Sequence, residues 1–287
     1  MALTGAYVLG PRIGKYVKGH AQAIPGHNLP MAVLGCFILA FGWFGFNAGS
    51  TLSGTDLRIA VVATNTMLAS ASGALFAYLT TWKKFKRPDL SMAVNGMLAG
   101  LVAITAPCAF VTAPSAVLIG AVAGVLVVLA ALFSENRLKI DDPVGAIAVH
   151  GVNGAWGLIA LGLLADGTYG GGLNSGPAAG VAGLLYGDPR QLVAQFVGIG
   201  ANLLWVGGAS FALFKGSRRH HRHAREAGVR DAGPGLQRGL GSRLPRRGLP
   251  GPLPGLRQRA RQGRVARARG EQHAPARRRQ VRGATIR

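Results

Sequence analysis

Inside a stretch without charge, Pro143 to Ala165, stands a single histidine, His150, with Gly151 and Gly154 beside it. If the stretch is a helix, His150 lies about six residues, or about 9 Å, from its start. An imidazole facing lipid is costly, so it must face a bundle interior, a pore or a polar partner. Two chemistries suit that place: a satisfied hydrogen bond between helices, or a polar contact and proton relay for a permeating solute. Asn153 on the same helix, and Asn65, Asn95, Ser50, Thr66 and Ser70 elsewhere, are the available interhelical partners.

A second group lies in Gly42 to Ser50, GWFGFNAGS, where Trp43, Phe44 and Phe46 alternate with small residues. Aromatic residues near an interface serve as membrane anchors. They also attract a cation with their faces or close a narrow path to water, and the Ser50 hydroxyl can accept a hydrogen bond from an ammonium-like species. Asp141 and Asp142 stand immediately before Pro143. There they read as an acidic cap that complements the positive end of the His150 helix. They do not read as a catalytic pair, because adjacent positions do not share a helix face. Cys36 and Cys108 are isolated, and neither a GxxxxGK[ST] phosphate loop nor a dinucleotide motif is present. No metal, cofactor or enzymatic activity is therefore expected.

The elements that must position these residues are written in the charge pattern. Charge is absent from Leu29 to Leu52, Ile59 to Trp82, Leu90 to Phe133, Pro143 to Ala165 and Leu192 to Phe214. A bilayer core of about 30 Å takes about 20 helical residues. The longest run holds two spans, parted between Pro107 and Pro114 by a turn at Thr112 and Ala113. The pattern predicts six complete spans near 30–49, 58–81, 91–107, 114–133, 144–165 and 191–214, with residues 2–10 as the end of another helix. Glycines spaced by three or four residues, such as Gly96 and Gly100 or Gly120 and Gly124, predict close backbone packing.

Charge also orients the chain. Residues 1–214 hold 11 Lys or Arg against 7 Asp or Glu, whereas residues 215–287 hold 21 against 3. The high net charge thus belongs to the tail, and a soluble nucleic-acid-binding body is excluded by the spans. Basic residues cluster at Arg12, Lys15 and Lys18, at Lys83 to Arg87, at Arg137 and Lys139, and in the tail. These are alternate links, which the positive-inside rule places in the cytoplasm.

Four segments carry a resemblance: HNLPMAVLGCFILAFGWFGFNAGS at 27–50, NTMLASASG at 65–73, NGMLAGLVAITAPCAFV at 95–111 and LKIDDPVGAIAVHGVNGAWG at 138–157. In type and order they resemble the later helices of the ammonium transporter family, over nearly all of residues 2–214. The resemblance implies an all-α polytopic membrane protein with a partial eleven-helix ammonium-transporter fold, built in the family from two inverted five-helix repeats. The spans resemble the sixth to eleventh helices and residues 2–10 the end of the fifth; helices one to four and the first pore histidine are not in this sequence.

By that resemblance His150 is the second of the paired pore histidines, Phe46 one of two stacked gate phenylalanines, and Ser50 with Trp43 the outer recruitment site for ammonium. Asp142 resembles part of the acidic signature near the tenth helix. The family implies transport of ammonium or ammonia by a homotrimer in the cell inner membrane or plasma membrane, with a nitrogen-regulatory signalling protein as cytoplasmic partner. Two departures are plain. Position 145 is Gly where many members carry an acidic residue, and the tail 215–287 is rich in Arg, Gly and Pro instead of ending in the family's regulatory region. That composition predicts a mostly disordered tail and fits a shifted reading frame in a GC-rich gene better than a phosphate-binding arm or a metal site at His220, His221 and His223. The alternative function is a nonconducting membrane fragment or assembly component.

Overall fold

The computed structural model describes residues 1–173 and 180–231, with side chains described to residue 217. It divides into two units, Met1–Arg219 and His220–Arg287. The first consists of helices α1 (Ala2–Leu9), α2 (Leu29–Gly49), α3 (Arg58–Phe85), α4 (Leu90–Thr105), α5 (Ala113–Asn136), α6 (Asn153–Leu164) and the apolar part of α7 (Arg190–Asp231). A π-helical turn, Ile147–Val152, leads into α6. The two-residue strands β1 (Tyr16–Val17) and β2 (His20–Ala21) form an antiparallel hairpin between α1 and α2.

The helix starts follow from local chemistry. Asn28, Asp89 and Thr112 sit outside their helices and accept hydrogen bonds from the amides of Met31, Ser91 with Met92, and Ser115. Each satisfies donors that have no partner within the helix. Pro30 and Pro114 occupy first-turn positions, where a missing N–H costs nothing. Helix α3 ends where Lys86 turns left-handed, at φ 59°.

Helices α3, α4 and α5 form the packed centre. Val62, Ile104, Ile119, Val127 and Val128 are buried there, and small residues set the spacing. A Cβ on Gly73 would stand 2.4 Å from the Gly96 carbonyl oxygen. Only glycine permits backbones to meet that closely, and in lipid such dispersion contacts, without a hydrophobic force, hold helices together.

Among the described residues, five helical segments are long and apolar enough to cross a membrane: α2, α3, α5, the continuous Ile147–Leu164 and Arg190–Ser217. They match five of the six expected spans in order. The sixth, α4, has 16 residues, a rise of only about 24 Å. A largely buried turn at residues 106–112 follows it, and buried backbone groups need partners. Asn65 on α3 supplies them, its Nδ2 donating to the carbonyls of Cys108 and Val111 at 2.9 and 2.8 Å.

Helix α7 departs from expectation. Its backbone runs to Asp231, past residue 214 where the apolar run ends and the tail was expected to lose regular structure. The segment after Lys215 has no proline before Pro234 and contains Ala, Arg and Glu, good helix formers. The side chains of His220, His221 and His223, and all of residues 232–287, lie outside the described residues.

Candidate functional site

The His150 helix is divided into two faces. Ala148, Val149, Asn153, Gly157, Ala160 and Leu161 are buried, whereas His150 and Gly151 are exposed. The imidazole has no hydrogen-bond partner among the described residues. A hydrogen bond from His150 to a neighbouring helix is therefore not formed among the described residues. Asn153, named as an interhelical partner, also bonds otherwise: its Nδ2 donates to the Ala148 carbonyl at 2.9 Å, within its own segment.

The two acidic residues before this helix have different partners. Asp142 accepts from the amides of Ala146 and Ile147, at 2.9 and 2.7 Å, at the start of the π turn. Asp141, expected to share in the cap, instead takes the backbone N–H, Nε and Nη2 of Arg12 at 2.9, 2.7 and 2.9 Å. The hydrogen bonds from Arg12 hold the Asp141 carboxyl below the usual carboxylate range, and the same bonds raise the Arg12 guanidinium. Lys15 pairs with Glu135, the Tyr16 hydroxyl donates to the Glu135 carbonyl, and Lys139 donates to the Gly19 carbonyl. Burial raises the Tyr16 phenol, with the charge of Glu135 acting in the same direction. The β1–β2 loop is thus pinned to the ends of α5 and the His150 segment. Gly145, just after Asp142, has φ 74°, a conformation in which the acidic residue common in the family would be strained.

On α2, Trp43 and Phe46 meet edge to face with centroids 5.8 Å apart. The Trp43 indole donates to Thr105 Oγ1 at 2.9 Å, tying α2 to the end of α4. Phe46 is 58% exposed, and Ser50 Oγ donates to the Phe46 carbonyl at 2.6 Å. Phe46, Trp43 and Ser50 therefore form one local group. No hydrogen bond or ring contact among the described residues joins that group to His150. Asn47, between them, was not singled out by sequence. It is buried and donates to Thr66 Oγ1 at 3.0 Å, and its place as a carboxamide inside an uncharged apolar run was the available signal.

A helical bundle with five described segments long and apolar enough to cross a bilayer is that of a multi-pass membrane protein. The chain belongs to the Ammonium Transporter Family, whose model matches residues 1–219. Ammonium transporter Amt2 of Archaeoglobus fulgidus is 52% identical over 215 residues, 75% of this chain and 45% of that protein. Ammonium transporter Amt1 of Methanocaldococcus jannaschii is 44% identical over 164 residues, 57% of this chain and 41% of the relative. Among solved structures, a Sensor Amt Protein superposes with TM-score 0.67 at 38% identity, covering 76% of this chain and 51% of its own. Saccharomyces cerevisiae Mep2 gives TM-score 0.60 at 32% identity, covering 65% of this chain and 44% of its own. The chain spans about half the length of the relatives it matches.

Proposed function

We propose that this chain supplies one wall of a pathway that carries ammonium or ammonia across a cell membrane, with His150 lining it. The observation that carries the reading is the exposure of His150 and Gly151 on a helix whose other face is buried. An imidazole at that depth is costly against hydrocarbon and useful against a polar solute. Phe46 gates the outer entrance, and Ser50 and Trp43 receive ammonium there by a hydroxyl and an aromatic face. The apolar passage favours neutral ammonia over the ion, and the imidazole offers a polar contact and a proton path along it. A hydrated potassium ion, which cannot surrender a proton, is excluded.

In this reading the working unit is a homotrimer in the plasma or inner membrane, with the basic links and the tail in the cytoplasm. A nitrogen-regulatory protein recognises the family's usual tail, and the Arg-rich sequence here offers it a poor surface. No specific nucleic-acid site is proposed.

A second reading is favoured by α2, which buries only Asn47, and by α7, whose apolar residues Leu203, Leu204 and Trp205 are 70, 81 and 78% exposed. In this reading the 287 residues serve in assembly and do not conduct alone. Uptake of a labelled ammonium analogue by transporter-deficient cells producing this chain, compared with His150→Ala at equal membrane abundance, separates the two. Uptake that is lost in the variant supports the pathway; no uptake from an inserted chain leaves the second reading.

A further inference from the structure

Residues 147–152 form a π turn, a wider coil than the α-helix and one that accumulates at functional sites. His150 lies within it, and Asn153 follows it. In a π pattern the carbonyl of Ala148 would be met by the amide five residues on, that of Asn153. That amide also donates to the His150 carbonyl, three residues back. The Ala148 carbonyl is taken by the Asn153 side chain, Nδ2 to O at 2.9 Å. One residue therefore holds two carbonyls of the turn, one with its backbone and one with its carboxamide.

Packing alone does not account for an amide here. Asn153 is 0% exposed, and its Oδ1 has no hydrogen-bond donor among the described residues. A buried acceptor left so is unfavourable, and an apolar side chain of similar volume would avoid the cost. The neighbouring helix is also fixed: a Cβ on Gly157 would stand 2.4 Å from the Ala103 carbonyl oxygen, so α6 cannot rotate freely against α4. If the turn relaxed to α geometry, the change in register, about 100° for one residue, would fall on residues 147–152 and carry His150 with it.

We infer that Asn153 is a positioning residue for His150, its carboxamide bonding a carbonyl of the π turn and so holding the turn that displays the imidazole on the exposed face. The inference rests on the pathway reading for its functional meaning, and its structural content is tested separately. The 287-residue chain with Cys36→Ala, Cys108→Ala and His150→Cys, purified in detergent, is treated with a maleimide that partitions into micelles. Asn153→Leu is expected to change the labelling rate at position 150 by about tenfold without lowering thermal stability. Asn153→Gln, which keeps the donor, is expected to stay nearer the parent rate. Equal rates in parent, Gln and Leu proteins overturn the inference. Should Asn153→Leu fail to reach the membrane, Asn153→Ala makes the same comparison. Uptake that is insensitive to His150→Ala, with labelling still dependent on Asn153, overturns the pathway reading alone.

Discussion

Asp141 and Asp142 are adjacent in sequence and bind different parts of the protein: Asp141 takes Arg12, 129 residues away, and Asp142 takes the amides of Ala146 and Ile147. One carboxylate anchors a loop and the next starts the segment that bears His150. Single substitutions should separate the two effects. Asp142→Ala is expected to cost about 1 kcal/mol, the loss of a helix cap, with faster hydrogen exchange at Ala146 and Ile147. Asp141→Ala is expected to leave those amides protected and to open the β1–β2 loop to trypsin at Lys15 and Lys18. Identical exchange and cleavage patterns in the two variants would sink the division of roles.

The Arg12 pair also sets a pH dependence. Asp141 has its folded pKa lowered by the hydrogen bonds from Arg12. Its stabilisation is therefore fully present above the unfolded value of about 3.9 and is lost as pH falls through the lower folded value. A spin label at Val17→Cys in the loop should remain immobile down to about pH 4 and gain mobility below it. Release of the label between pH 7 and 5 would show that another contact holds the loop.

Close approach at the α3–α4 contact makes a size prediction. In Gly73→Ala the new Cβ meets backbone, the Gly96 oxygen at 2.4 Å, which no rotamer can relieve. The expected cost is at least the usual overpacking range, about 1–3 kcal/mol, seen as a lower unfolding midpoint in detergent. Gly42→Ala, with no atom within 4 Å of its added methyl, should leave the midpoint unchanged or raise it. Equal losses at both positions would refute the packing argument.

The readable part of this fold was the part set by solvent. Runs without charge predicted α2 at 30–49 and α5 at 114–133, and the helices are Leu29–Gly49 and Ala113–Asn136, because the cost of burying charge in lipid acts on every residue independently. What stayed hidden depends on pairs. Nothing in the types of Arg12 and Asp141 says that they meet across 129 residues, and nothing in Asn65 says that its amide closes the α4–α5 turn. The π turn is hidden for a related reason: a helix that shifts one hydrogen bond keeps the same hydropathy. The end of α7 shows the converse, since hydropathy stops near Ser217 while backbone propensity carries the helix to Asp231. At the candidate site, sequence and family resemblance proposed His150, Phe46, Trp43 and Ser50; the structure places Trp43, Phe46 and Ser50 in one local group and His150 on the exposed side of another helix.

The contact between α1 and α7 gives the chain an order of assembly. Helices α3, α4 and α5 are consecutive, so their tight packing joins segments that are made one after another and closes with little loop entropy. The Ser210 hydroxyl donates to Thr4 Oγ1 across 206 residues, and Gly5 lies against the Phe214 ring. During synthesis α1 lacks this neighbour until Ser210 of α7 has been made, 206 residues after Thr4. The three central helices can therefore settle before α1 and α7 meet.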